Sequence, residues 1–146
     1  MIQGEMISSL SELYHTDETA WLEQMAALAA TGETSALDLG HLSEYLSDMA
    51  KRDKREVLHR LVRLLVHLLK WEYQPEKRTR SRELTIQEQR EELQELLESG
   101  TLRNYADQEL GKAYQKSVRR AAVETDLTEE AFPRESPYTL EQALSG

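Results

Sequence analysis

Three groups of side chains in this sequence carry types and spacings that could do chemistry. His41, Glu44 and Asp48 fall at i, i+3 and i+7, on one face of a helix, with His67 available from the next apolar stretch. Imidazole and carboxylate ligands on facing helices are how metal sites are built into bundles, and a carboxylate pair also suits acid–base work. A di-iron bundle, however, wants Glu-x-x-His on two helices with further glutamates, and no His-Glu-x-x-His occurs. The first reading of the acids is therefore a solvated face, or partners for Lys70, Arg78 or Arg80. A metal set of His41, Glu44, Asp48 and His67 comes second, and no cofactor is expected.

His67 also stands alone as a titratable group, between Arg63 and Lys70 on one helical stripe. Flanking cations disfavour its protonation, which leaves a neutral imidazole suited to hydrogen bonding. The third group is the loop from Gln74 to Arg82, with Lys77, Arg78, Arg80 and Arg82 leading into a helix near Ser81. Free backbone donors at a helix start beside guanidinium groups can hold a phosphate or carboxylate. The alternative is that these arginines lock the loop to Glu44 and Asp48. Trp71 and Tyr73 beside the loop read as core and rim rather than a base-stacking platform. No Walker loop, dinucleotide glycine pattern or nucleophile elbow is present, so no residue receives a catalytic role.

The elements that must position these groups are helical throughout. Asp17 can cap a helix carrying Trp21, Leu22, Met25 and Leu28 to a stop at Gly32. Before it, residues 1–16 form a leader with a partial apolar pattern of Ile7, Leu10, Leu13 and Tyr14. Leu39, Leu42, Leu46 and Met49 begin a second helix expected to reach Tyr73, with a break near Arg52 where Asp53 could restart it as a cap. From Val57 onward, apolar residues surround most of the helix circumference, which belongs in the middle of a bundle. Pro75 ends it.

Thr79 or Ser81 can cap the next helix, which should stop at Ser99-Gly100, and Thr101 can cap another. Thr139 caps a short last stub within an irregular tail, residues 133–146. No stretch alternates with period two, so no sheet is expected. The expected fold is all-α: one domain over 1–146, an irregular bundle of about five helices around the central apolar helix.

Composition bounds the function. The 146 residues include no cysteine, which removes disulfides, thiolate zinc sites and cysteine nucleophiles and suits a reducing cytoplasm. Residues 1–50 contain no Lys or Arg, hence no basic region ahead of a secretory signal. The longest apolar run falls far short of the roughly 20 residues of a membrane span. A soluble, cytoplasmic protein is expected. Charge is segregated: nine acids and no base in residues 1–50, 12 bases and six acids in 51–90, six bases and 12 acids in 91–146. A basic centre can be an anion-binding strip or can be neutralised by packed acidic helices.

Leu13-Tyr14, Asp17, Trp21, Glu44, Asp48, the run HLLKW ending in YQP, Arg78, Ser81, TIxxQR and the tail FPxxSPYTLEQAL together resemble the bacterial domain-of-unknown-function family 29 (DUF29) from about Leu13 to Leu144. The resemblance implies an all-helical fold and no established activity. It implies recurrent positions at Asp17, Trp21, Glu44, Asp48, His67, Lys70, Trp71, Gln74, Pro75, Arg78, Ser81, Gln89 and Arg90. Ser47, Arg82 and Ser136 depart from the family's usual acid, tryptophan and cysteine. That weakens any mechanism needing three carboxylates on the second helix or an aromatic wall beside Ser81.

The expected function is a non-enzymatic interaction or accessory module that binds another protein, with no membrane role. Its candidate edge is Glu44, Asp48, His67, Lys70, Trp71, Gln74, Arg78, Arg80, Ser81, Gln89 and Arg90. The alternatives are nucleic-acid or phosphate binding through residues 51–90, and a metal-dependent hydrolase using Glu44, Asp48 and His67.

Overall fold

The computed structural model describes residues 10–146, and Ile7 of the leader pattern lies outside them. Residues 10–16 are helical and are followed by α1 (Glu18–Ala30), α2 (Leu39–Tyr73), α3 (Arg80–Leu96), α4 (Gly100–Thr125) and α5 (Leu140–Ser145). Short 3-10 turns lie at Thr34–Ala36, Pro75–Lys77 and Glu129–Ala131. The fold is all-α, with no strand among the described residues. No helix among them is long and apolar enough to cross a membrane.

Helix ends follow local chemistry. The Asp17 carboxylate accepts the Ala20 N–H at 3.2 Å, and Gly32 takes φ 75° just past the end of α1, a geometry that costs glycine nothing. Of the two possible caps for α3, Thr79 does the work, accepting Arg82 N–H at 3.2 Å. For α4 the cap is Ser99, which accepts Leu102 N–H at 3.3 Å, and not Thr101. Gly100 is therefore the first residue of α4 and not the stop of α3, which ends at Leu96 with the N–H of its cap residue Leu97 on the Leu93 carbonyl. Thr139 and Gln142 form a reciprocal capping box on α5.

The expected break near Arg52 does not occur; α2 runs for 35 residues. No proline removes a hydrogen bond between Gly40 and Pro75, and the KRDKRE stretch consists of helix-tolerant residues with their heads in water. Contacts nevertheless divide the chain into two compact units, Met1–Lys51 and Arg52–Gly146.

In the first unit, Leu10, Trp21 and Met25 are buried, with Leu13, Tyr14, Leu22, Leu28, Leu37, Leu42 and Tyr45 packed around them. In the second, eight aliphatic side chains of α2 from Val57 to Leu69 are buried. Each contributes roughly 1.5–3 kcal/mol before ordering is charged against it. Ile86 and Leu93 of α3, Ala113, Tyr114 and Val118 of α4, and Leu140 and Leu144 of α5 close this core. Ser117 is fully buried and donates to the Ala113 and Val62 carbonyls at 2.7 and 3.2 Å, so its hydroxyl is satisfied where α4 meets α2. Tyr114, also fully buried, donates its hydroxyl to Pro133 O at 2.6 Å and ties the tail down; burial pushes that hydroxyl up to about 12.

Candidate functional site

The first unit places His41 in a packed polar cluster. Its Nδ1–H donates to Asp38 Oδ2 at 2.7 Å, and the Trp21 indole N–H donates to the same oxygen at 3.2 Å. Burial works against charge on Asp38, yet these bonds hold its carboxyl below the ordinary range. Ser11 Oγ lies 3.3 Å from the same Nδ1, and the imidazole stacks on Tyr14 with centroids 4.4 Å apart. Serine, histidine and aspartate are thus together, but in the wrong order for nucleophilic catalysis. A Ser–His–Asp relay uses one ring nitrogen for each partner, whereas here both partners address Nδ1.

Glu44 and Asp48 lie in the same unit and are exposed. Loss of solvation first, and their charges next, hold the Tyr14 hydroxyl above its ordinary range. Among the described residues, no group of three or more His, Asp and Glu side chains is placed to hold a metal ion.

In the second unit, most of the predicted edge is engaged in holding elements together. Arg78 donates from Nε to the Trp71 carbonyl at 2.8 Å, and its guanidinium lies 5.0 Å from the Trp71 ring centroid, so the proline turn folds back on its own helix. Lys70 Nζ lies 3.8 Å from Glu124. Gln74, 5% exposed, donates to the Thr125 carbonyl at 3.3 Å. Arg90 donates from Nε to the Ala143 carbonyl at 2.9 Å and binds α5 to α3; burial lowers its affinity for the proton. Arg80 and Ser81 are exposed, the Ser81 carbonyl accepting Thr85 Oγ1 at 3.0 Å.

His67 is half-buried, and its Nδ1 has no hydrogen-bond partner. Its affinity for protons is lowered first by burial, then by Lys70 and Arg63. The neutral imidazole expected from the flanking cations is thus favoured, but desolvation is the larger cause. Arg82 Nη1 and Gln74 Oε1 are likewise buried without a partner.

Nearer the start of the second unit lies an open groove. Arg52, Arg55, Glu56, His59, Arg60 and Arg63 of α2 and Gln89 of α3 line this groove of about 540 Å³. Arg60 is neutralised within it, with Nε 3.1 Å from Glu56 and Nη2 3.7 Å from Glu92, and its Nη1 donates weakly to Gln89 Oε1 at 3.5 Å. Arg52, Arg55 and Arg63 have no carboxylate within ion-pair distance among the described residues. With His59 they recur at steps of three and four, so they form a row on one helical face roughly 16 Å long. Gln89, predicted as an edge residue, is 5% exposed and forms part of the groove's floor. The spacing of 52, 55, 59 and 63 was the sequence signal for this row, and it reads as one face only if α2 is unbroken.

A family model described as "Domain of unknown function DUF29" matches residues 13–146, and the chain belongs to that family. No curated protein and no solved structure matches.

Proposed function

We propose that this member of the DUF29 family is a non-enzymatic interaction module and that the groove of its second unit holds an acidic protein surface. One observation carries the reading: three of the groove's arginines lack a carboxylate among the described residues, while Lys70, Arg78 and Arg90, outside the groove, each have an acceptor. Guanidinium forks pair bidentately with carboxylates, so such a row recognises acids spaced along a partner. Phosphate is the chemical rival. One feature favours carboxylate: no Phe, Tyr or Trp side chain lines the groove to stack a base.

The test is fluorescence anisotropy with a labelled poly-glutamate peptide and a labelled single-stranded oligonucleotide of equal charge, at about 0.1 M and about 1 M salt, where the screening length falls from about 10 Å to about 3 Å. The peptide should bind at the lower salt and release at the higher, and Arg55→Ala with Arg63→Ala should weaken it about tenfold, the equivalent of roughly 1.4 kcal/mol. Tighter binding of the oligonucleotide would replace the protein reading with a nucleic-acid one. Binding of neither probe would end both.

A further inference from the structure

We infer that the acidic surface taken by the groove belongs to a second copy of this chain, which offers the Glu44–Asp48 row of its first unit. This rests on the groove reading above and adds the identity of the occupant. Charge complementarity is one support: residues 1–51 hold nine acids and a single lysine, whereas the groove row is cationic and, among the described residues, lacks carboxylate partners at Arg52, Arg55 and Arg63. Exposure is the second. Glu44 and Asp48 are exposed and enter no ion pair among the described residues, so they reach a partner without breaking anything.

Register is the third support. Glu44 and Asp48 stand four residues apart on a helix, and so do Arg55 and His59, and His59 and Arg63. Two helices laid side by side can therefore set Glu44 and Asp48 opposite Arg55 and His59, or opposite His59 and Arg63, at one contact per turn. Each copy carries a net charge of −9, so copies repel at a distance. At about 0.1 M salt, however, the screening length of about 10 Å damps that repulsion more than it damps ion pairs in direct contact.

Sedimentation velocity of the full chain at about 0.1 M salt should show a mass above the monomer that grows with protein concentration and falls back at about 1 M. Two charge-reversed chains provide the decisive arm. Glu44→Arg with Asp48→Arg makes row and groove both basic; Arg55→Glu with Arg63→Glu makes both acidic. Each variant alone should stay monomeric with helical circular dichroism unchanged, and mixing them should restore the association. A wild-type chain that is monomeric at every concentration, variants that associate as the wild type does, or a mixture that stays monomeric would overturn the inference. Retained poly-glutamate binding by a monomeric wild type would remove the second copy and keep the groove. Loss of that binding as well would remove both.

Discussion

Two sets of cations lie on or beside α2 in the second unit, and they are used differently. Outside the groove, three cations are spent on architecture: Lys70 to Glu124, Arg78 to the Trp71 carbonyl and ring, Arg90 to the Ala143 carbonyl. In the groove, Arg52, Arg55 and Arg63 end without a carboxylate among the described residues, and Arg60 is neutralised. The residue types are nearly the same. What differs is the supply of acceptors: Lys70 has the Glu124 carboxylate, and Arg78 and Arg90 have carbonyls in the last turns of α2 and α5, whereas the groove is flanked by regular helix whose carbonyls are already bonded. An arginine beside an orphan carbonyl becomes part of the fold, and one beside a finished helix is left for a partner.

That contrast makes stability and binding separable. The largest stability effect should come from Arg90→Ala, which removes a charged hydrogen bond and leaves the Ala143 carbonyl without its partner. A loss of about 1.5–3 kcal/mol in urea unfolding is expected, with poly-glutamate affinity unchanged. Gln74→Ala comes next. It strips the Thr125 carbonyl of its donor but also removes a buried amide oxygen that has no partner, so the net loss should be about 1 kcal/mol.

Titration of His67 follows. Its folded-state proton affinity lies below the ordinary histidine value of 6.5, so the unfolded chain binds the proton more readily. Stability contributed by the neutral imidazole is complete above pH 6.5 and declines as the pH falls below it. The slope from this one group cannot exceed about 1.4 kcal/mol per pH unit. His67→Gln should flatten the profile between pH 5 and 7; an unchanged profile would assign the slope to other groups. The smallest stability effects should be those of Arg52→Ala, Arg55→Ala and Arg63→Ala. Each should stay within about 0.5 kcal/mol of the wild type, because no folded-state partner is lost.

Much of the fold was legible in the sequence, because it depends on local patterns. The apolar positions from Val57 to Leu69 marked the central helix, and Asp17, Thr79 and Thr139 were visible as caps. Errors came where two residues satisfied the same local rule. Ser99 and Thr101 both suit an N-cap, and the choice was made by where α3 ends. At KRDKRE a restart signal was present but no hydrogen bond had to be broken, so the helix continued.

The site was less legible for a related reason. A break near Arg52 would have rotated Arg52 out of line with Arg55, His59 and Arg63, so the row became visible only with the unbroken helix. The Asp38–His41–Trp21 cluster depends on packing between α1 and the start of α2, and the sequence marks only the three-residue spacing of Asp38 and His41. The orphaned atoms of His67, Gln74 and Arg82 are likewise tertiary facts. The change from acidic to basic composition at residue 51, by contrast, falls at the boundary between the two units.

The most direct test of the central claim compares two double variants side by side, Arg55→Ala with Arg63→Ala and Arg78→Ala with Arg90→Ala, each measured for urea stability and for poly-glutamate affinity at about 0.1 M salt. The groove variant should keep wild-type stability to within about 1 kcal/mol and lose about tenfold in affinity. The other should lose about 2–4 kcal/mol of stability and keep its affinity. If the groove variant is the destabilised one, or if affinity falls with Arg78 and Arg90 instead, then the division between arginines that build the fold and arginines that meet a partner is wrong.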